Sequence, residues 1–196
     1  MCILTNCSVQ PKKIPEESEF DSHSPNLKSI INNFNTISQD VDKVYKIDTS
    51  RIELYMQVYK DSSLIKVENF HNIPKVIYAS YNIIKNESDQ IIFILENPFS
   101  ESDDWHIIYE SYFDSTGSIL AFVRKCSFFN SGCAEIVHEK SEYFFDEKHN
   151  LVKKTYKIVD GDNHILDFKK CTFNYRVDYE IRKTLKDYLQ SHKFQK

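Results

Sequence analysis

The sequence predicts an α+β domain that is mainly antiparallel β: a curved meander sheet of about 8 to 10 hairpin-connected strands with one N-terminal and one C-terminal amphipathic helix. Three observations carry that expectation. Apolar residues alternate at period two from Val41 to Cys171, short clusters of Asp, Asn, Ser and Gly separate the runs, and apolar residues recur at helical spacing at both ends.

The first helix opens at Ser24-Pro25, a capping residue followed by a proline at the first helical position. Leu27, Ile30, Ile31, Phe34 and Ile37 then fall at i, i+3, i+4, i+7 and i+10, one apolar face. From Val41 the period shortens. Val44, Lys46 and Asp48 alternate with Tyr45 and Ile47, and Ile52, Leu54, Met56 and Val58 alternate with Glu53, Tyr55, Gln57 and Tyr59. Further runs occupy 63–70, 75–85, 90–97, 105–113, 118–129, 134–145, 150–159 and 164–173. Connections of a few residues cannot cross a sheet, so consecutive runs are expected to pair antiparallel.

Three of the connections share one spacing. Phe113-Asp114 leads through four turn residues to Ile119-Leu120, Phe145-Asp146 through four to Leu151-Val152, and Val159-Asp160 through four to Ile165-Leu166. Each reads as a hairpin whose Asp closes the turn through its own backbone. The middle runs are apolar on both faces, with Ile91, Phe93 and Leu95 opposing Ile92 and Ile94, which predicts cover on both sides. Later runs are half-solvated: Lys153, Thr155 and Lys157 lie opposite Val152, Tyr156 and Ile158. The chain closes with Ile181, Leu185, Tyr188 and Leu189 at helical spacing, a second amphipathic helix over about 178–192.

The N-terminus carries an address. Residues 3 to 8, Ile3-Leu4-Thr5-Asn6-Cys7-Ser8, resemble the end of a bacterial lipoprotein signal, in which Leu4-Thr5-Asn6 precedes a lipidated Cys7. Six residues cannot supply the charged and apolar regions of a full signal, so residues 1–7 are expected to be a truncated remnant. Residues 8–24 are polar, proline-containing and without periodicity, as a flexible tether would be, and 25–196 form one β-rich domain. The resemblance implies a cell-envelope location, lipid-anchored or periplasmic; the alternative is cytoplasmic.

Cys126, Cys133 and Cys171 remain inside the domain, and an oxidising compartment would pair Cys171 with either Cys126 or Cys133. No C-x-x-C occurs, and no metal or other cofactor is expected. The net charge of −4 comes from interspersed Lys, Glu and Asp with no basic stripe, which disfavours nucleic acid. No apolar stretch reaches the length of a membrane span, so membrane association is expected only through a lipid.

Candidate chemistry is sparse. With three glycines and no G-x-S-x-G, phosphate loop, dinucleotide fingerprint or H-E-x-x-H, no catalytic residue is assigned. His138 would need Cys133 or Glu139 beside it, but Glu139 points to the opposite face of a strand and Cys133 falls in a turn. Glu135, Glu139, Glu142 and Glu147 read as exposed strand residues, and Asp160-Gly161-Asp162-Asn163 as a hairpin turn in place of a calcium loop. The most informative surface segment is Glu101, Asp103, Asp104, Trp105 and His106, which sets the only Trp beside three acids. The expected function is non-enzymatic binding: enclosure of an apolar ligand, or alternatively recognition of a partner protein, as an inhibitor or immunity-type protein would, through the acidic loop and the sheet surface. An enzyme using His138 or His106 is the remaining option.

Overall fold

In a computed structural model, the described residues are 25–60, 62–68, 73–100, 102–129, 131–173 and 179–193. Cys7, the stub 1–7, the tether 8–24 and Glu101 lie outside them. One helix, α1 (Pro25–Ile47), precedes the strands β1 (Ile52–Gln57), β2 (Ile65–Lys66), β3 (Ala79–Lys85), β4 (Ile91–Pro98), β5 (Trp105–Phe113), β6 (Ile119–Phe129), β7 (Ile136–Phe145) and β8 (Leu151–Asp160), and a short helix, α2 (Leu185–Ser191), follows. The eight strands form one antiparallel sheet in the order β2-β1-β3-β4-β5-β6-β7-β8. The fold class is therefore the α+β, mainly antiparallel one that the periodicity predicts. From β3 onward the sheet is a strict meander; only the passage from β2 to β3 steps across β1.

The hairpin turns explain the meander. Asp114 accepts from the N–H of Thr116 and Ser118, Asp146 from those of Lys148 and Asn150, and Asp160 from those of Asp162 and His164. A fourth copy uses Asn86, whose Oδ1 accepts from Ser88 and Gln90. In all four, the residue three positions after the closing Asp or Asn is left-handed: Asp89 at φ 62°, Gly117 at 80°, His149 at 61° and Asn163 at 68°. Gly, Asn, Asp and His tolerate that conformation, which is why turns of such different composition fold alike.

Both faces of the sheet are covered near these turns. On one side α1 lays Ile30, Phe34, Ile37, Val41 and Val44 against Ile84, Phe93, Tyr112, Ala121 and Phe144. Phe34 meets the edges of Tyr112 and Phe144 with centroids 4.9 and 5.3 Å apart. On the other side, Ile181, Leu185, Tyr188 and Leu189 pack on Tyr81, Ile83, Ile94 and Phe113, while Phe173, Tyr179 and Ile181 pack on Tyr109, Phe122, Cys126 and Phe128.

Three boundary expectations are corrected. Residues 41–47 continue α1 and do not open a strand, because Val41 and Val44 extend the helical series of Ile37 onto the same core face. The final helix is only Leu185–Ser191, capped by Thr184, which accepts from the Asp187 N–H at 3.1 Å. Residues 179–183 before it are not helical, and Thr184, itself extended, bridges to Ser118. Residues 164–173 are not a strand: after one bridge, Val159 to Ile165, the chain turns into a 3-10 helix at Phe168–Lys170, its first turn closed by Asp167. Among the described residues, no helix is long and apolar enough to cross a membrane.

Candidate functional site

The strand registers lay the α1 side of β5–β8 out in rows. Tyr112, Ala121, Phe144 and Lys153 form one; Glu110, Val123, Glu142 and Thr155 the next; then Ile108, Lys125, Lys140 and Lys157; then His106, Ser127 and His138. Phe34 of α1 sits over the first of these rows. The last two rows are bare of the helix, with His106, Lys125, His138, Lys140 and Lys157 exposed. A helix spanning only one half of nine- to eleven-residue strands leaves the other half of this face open.

Like charges in register on adjacent strands repel. The row of lysines is balanced by the acidic row behind it: Lys125 pairs with Glu110 at 2.5 Å and Lys140 with Glu142 at 2.6 Å. Burial works to raise the Glu142 carboxyl, but hydrogen bonds from Lys140 and Thr155 outweigh it and hold the group below its ordinary value.

At the β4–β5 end the bare half deepens into a half-open cavity of about 330 Å³. Its floor includes Met56, Ser80 and Asn97; Phe99 and Phe129 supply aromatic walls; Asp103, Trp105 and His106 stand at it as well. The backbone builds this corner. Strand β4 ends at Pro98, the Phe99 N–H still donates to the Tyr78 carbonyl at 2.9 Å, and the Phe129 N–H donates to the Asp104 carbonyl at 3.1 Å, drawing the end of β6 against the loop. Asp103 takes a left-handed φ of 56° to make the bend. Two polar atoms of the lining, Asn97 Oδ1 and Ser100 Oγ, are buried and have no hydrogen-bond partner among the described residues.

The structure thus gathers Asp103, Trp105 and His106 at one cavity, with Asp104 in the adjoining bend. Trp105 is half-buried and does two things at once, packing on the core around Tyr109 and Phe128 while lining the cavity. Asn97, Ser100 and Phe129 were not legible as site residues: Asn97 and Phe129 read as strand residues and Ser100 as turn punctuation, and only the registry of β4 and β6 brings them to Trp105.

Other candidates separate. Ser127 Oγ and His138 Nδ1 share a hydrogen bond of 2.8 Å, yet among the described residues no carboxylate pairs with His138 to orient it as a catalytic base would require. Cys133 is joined to Cys171 by a disulfide, and Cys126 is a buried thiol that burial pushes up to about 12. Of the two pairings open in the sequence, the structure contains the one with Cys133.

Glu139 corrects an expectation: it is buried, not an exposed strand residue, and its charge is met by Arg124 across β6–β7. Glu142 is partly buried between Lys140 and Thr155. Among the described residues, no group of three or more His, Cys, Asp or Glu is placed to hold a metal.

A second polar cluster lies on the opposite face. Glu96 accepts from the hydroxyls of Tyr179 at 2.9 Å and Tyr188 at 3.1 Å, with His192 Nε2 3.4 Å away. Tyr81 donates to Gln57 Oε1 at 3.1 Å beside it. Burial next to this carboxylate holds the phenols of Tyr81, Tyr179 and Tyr188 well above their usual value, so they are donors throughout the accessible range. Tyr188 is fully enclosed, and the cluster pins the C-terminal segment to the sheet.

No protein-family model matches this chain, and no curated protein or solved structure matches it significantly.

Proposed function

We propose that this chain is a non-enzymatic binding protein of the cell envelope that recognises a partner protein through the bare half of its sheet. The observation that carries the reading is that half-face itself: α1 leaves it uncovered, and it ends in an aromatic cavity with two buried oxygens that have no partner among the described residues. The sheet is open, with β2 and β8 at its edges, and its centre is filled from both sides, so the geometry supports surface recognition better than enclosure of an apolar ligand. Exposed Phe99 and Phe129 beside polar rows have the make-up of an interface core with its rim.

The disulfide supports the compartment. Such bonds persist in oxidising surroundings and are rare among cytosolic structural proteins. An envelope location would be completed by a lipid on Cys7, the anchor that the N-terminal resemblance implies.

A photo-crosslinking residue placed in native cells at Phe99 or Phe129, and as a control at Lys43 on the outer side of α1, tests the reading. A discrete protein adduct from positions 99 and 129 and none from 43 is expected. Equal adducts from all three, or none from the sheet face, would overturn it.

A further inference from the structure

We infer that the cavity beside Trp105 receives an organic cation, an alkylammonium or guanidinium group of the kind that ends a lysine or arginine side chain. The inference rests on the reading of this face as the binding surface and names what enters its pocket.

The lining carries a carboxylate and, among the described residues, no Lys or Arg. Asn97 Oδ1 and Ser100 Oγ are buried without a partner among the described residues, Ser100 being 8% exposed, and a buried oxygen left unpaired is costly unless a ligand supplies the proton. Asp103 supplies that carboxylate. A cationic ligand with N–H donors meets the Asp103 carboxylate with opposite charge, whereas an anion is repelled by it.

The walls suit the rest of such a side chain. Phe99 and Phe129, 59% and 43% exposed, stand with Trp105 around the opening, giving apolar surface for a methylene stem and ring faces for the charge. At about 330 Å³ the cavity is at the small end of ligand sites, the scale of one side chain and not of an acyl chain. The acidic bend at Asp103 and Asp104 continues the same sign outward, so a basic partner would be steered toward this corner.

Trp105 is the only tryptophan and borders the cavity, so its fluorescence is a local probe of this corner. The full chain with the Cys133–Cys171 bond intact is titrated with capped lysine, capped arginine, butylamine, glucose and capped aspartate. A saturable, salt-sensitive change with the cations and none with glucose or aspartate is expected. Asp103→Asn, which keeps a residue tolerant of left-handed backbone, should weaken the cation by roughly two- to fivefold. Phe99→Ala should weaken it by a similar, roughly two- to fivefold factor, and Lys43→Gln, on the outer side of α1, should not change it.

Capped lysine or arginine binding better than butylamine assigns the pocket to a side chain of a partner; equal binding assigns it to a free amine. No saturable response to the cations, an equal response to glucose, or an Asp103→Asn variant of unchanged affinity would overturn the inference. Cross-linking from Phe99 without any cation response would sink this inference alone, whereas cation binding without cross-linking would sink the partner-protein reading.

Discussion

Asp114, Asp146, Asp160 and Asn86 each hold a hairpin by accepting two backbone N–H groups with a single side-chain oxygen. At Asp146 the Asn150 amide adds a third bond at 3.0 Å, and it is the chief reason the carboxyl sits below its ordinary 3.8. A carboxylate whose folded value is lowered contributes stability above its unfolded value and loses that contribution as pH falls through the folded one. Asp146→Ala is therefore expected to cost about 1 kcal/mol in urea unfolding at pH 7, a cost that shrinks as the pH falls below the ordinary 3.8 and through the lowered folded value. A penalty of unchanged size at low pH would mean that the turn does not depend on the ionised side chain.

The same residues show what could be read without coordinates. An Asp followed five residues later by an apolar pair gives three of the turns, because the closing bonds are local. The copy at Asn86 was missed because Asn and a different filler hide the same geometry. Glu139 misled for the opposite reason. Its burial depends on Arg124 standing across the β6–β7 pair, and no alternation within one strand can reveal a partner on another.

Among the elements, the long strands declared themselves through period two, whereas their ends and caps were decided by tertiary contacts. Residues 41–47 alternate acceptably as a strand, but Val41 and Val44 find their core contacts only as helix. The C-terminal segment is short of helix because Tyr179 and Ile181 must lie flat across the sheet before α2 can begin. Its attachment point is Glu96, a lone acid in a strand sequence whose three tyrosine neighbours come from β3 and from residues over eighty positions away.

Glu96→Ala would leave the Tyr179 and Tyr188 hydroxyls without this acceptor and is expected to destabilise the chain by about 2 kcal/mol. Hydrogen exchange should quicken over 185–191 and stay slow in β6 and β7. Uniform quickening through the sheet would contradict a local role for the cluster.

At the scale of the molecule, a meander with two unlike faces results. One face is closed by the pinned C-terminal segment; the other is closed by α1 along only half its length, and the open half holds the cavity. The exposed edge strand β8 carries Lys153, Lys154 and Lys157, which discourage pairing with another sheet. The disulfide ties residue 133, beside β7, to residue 171, after β8, closing a 38-residue separation and fixing the route of the chain onto the far face. By loop-closure entropy such a bond stabilises by roughly 3 to 4 kcal/mol, so the scaffold that displays the binding face depends on its being formed.

The compartment thus decides whether this scaffold and its proposed function belong together. The direct measurement is the intact mass and thiol state of the chain from its native cells, with free thiols blocked at lysis and membrane and soluble fractions kept apart. A membrane-bound species with an acylated Cys7, and with Cys133 and Cys171 joined and resistant to blocking, is expected. A soluble species in which Cys133 and Cys171 are both blocked as free thiols would contradict an envelope binding protein.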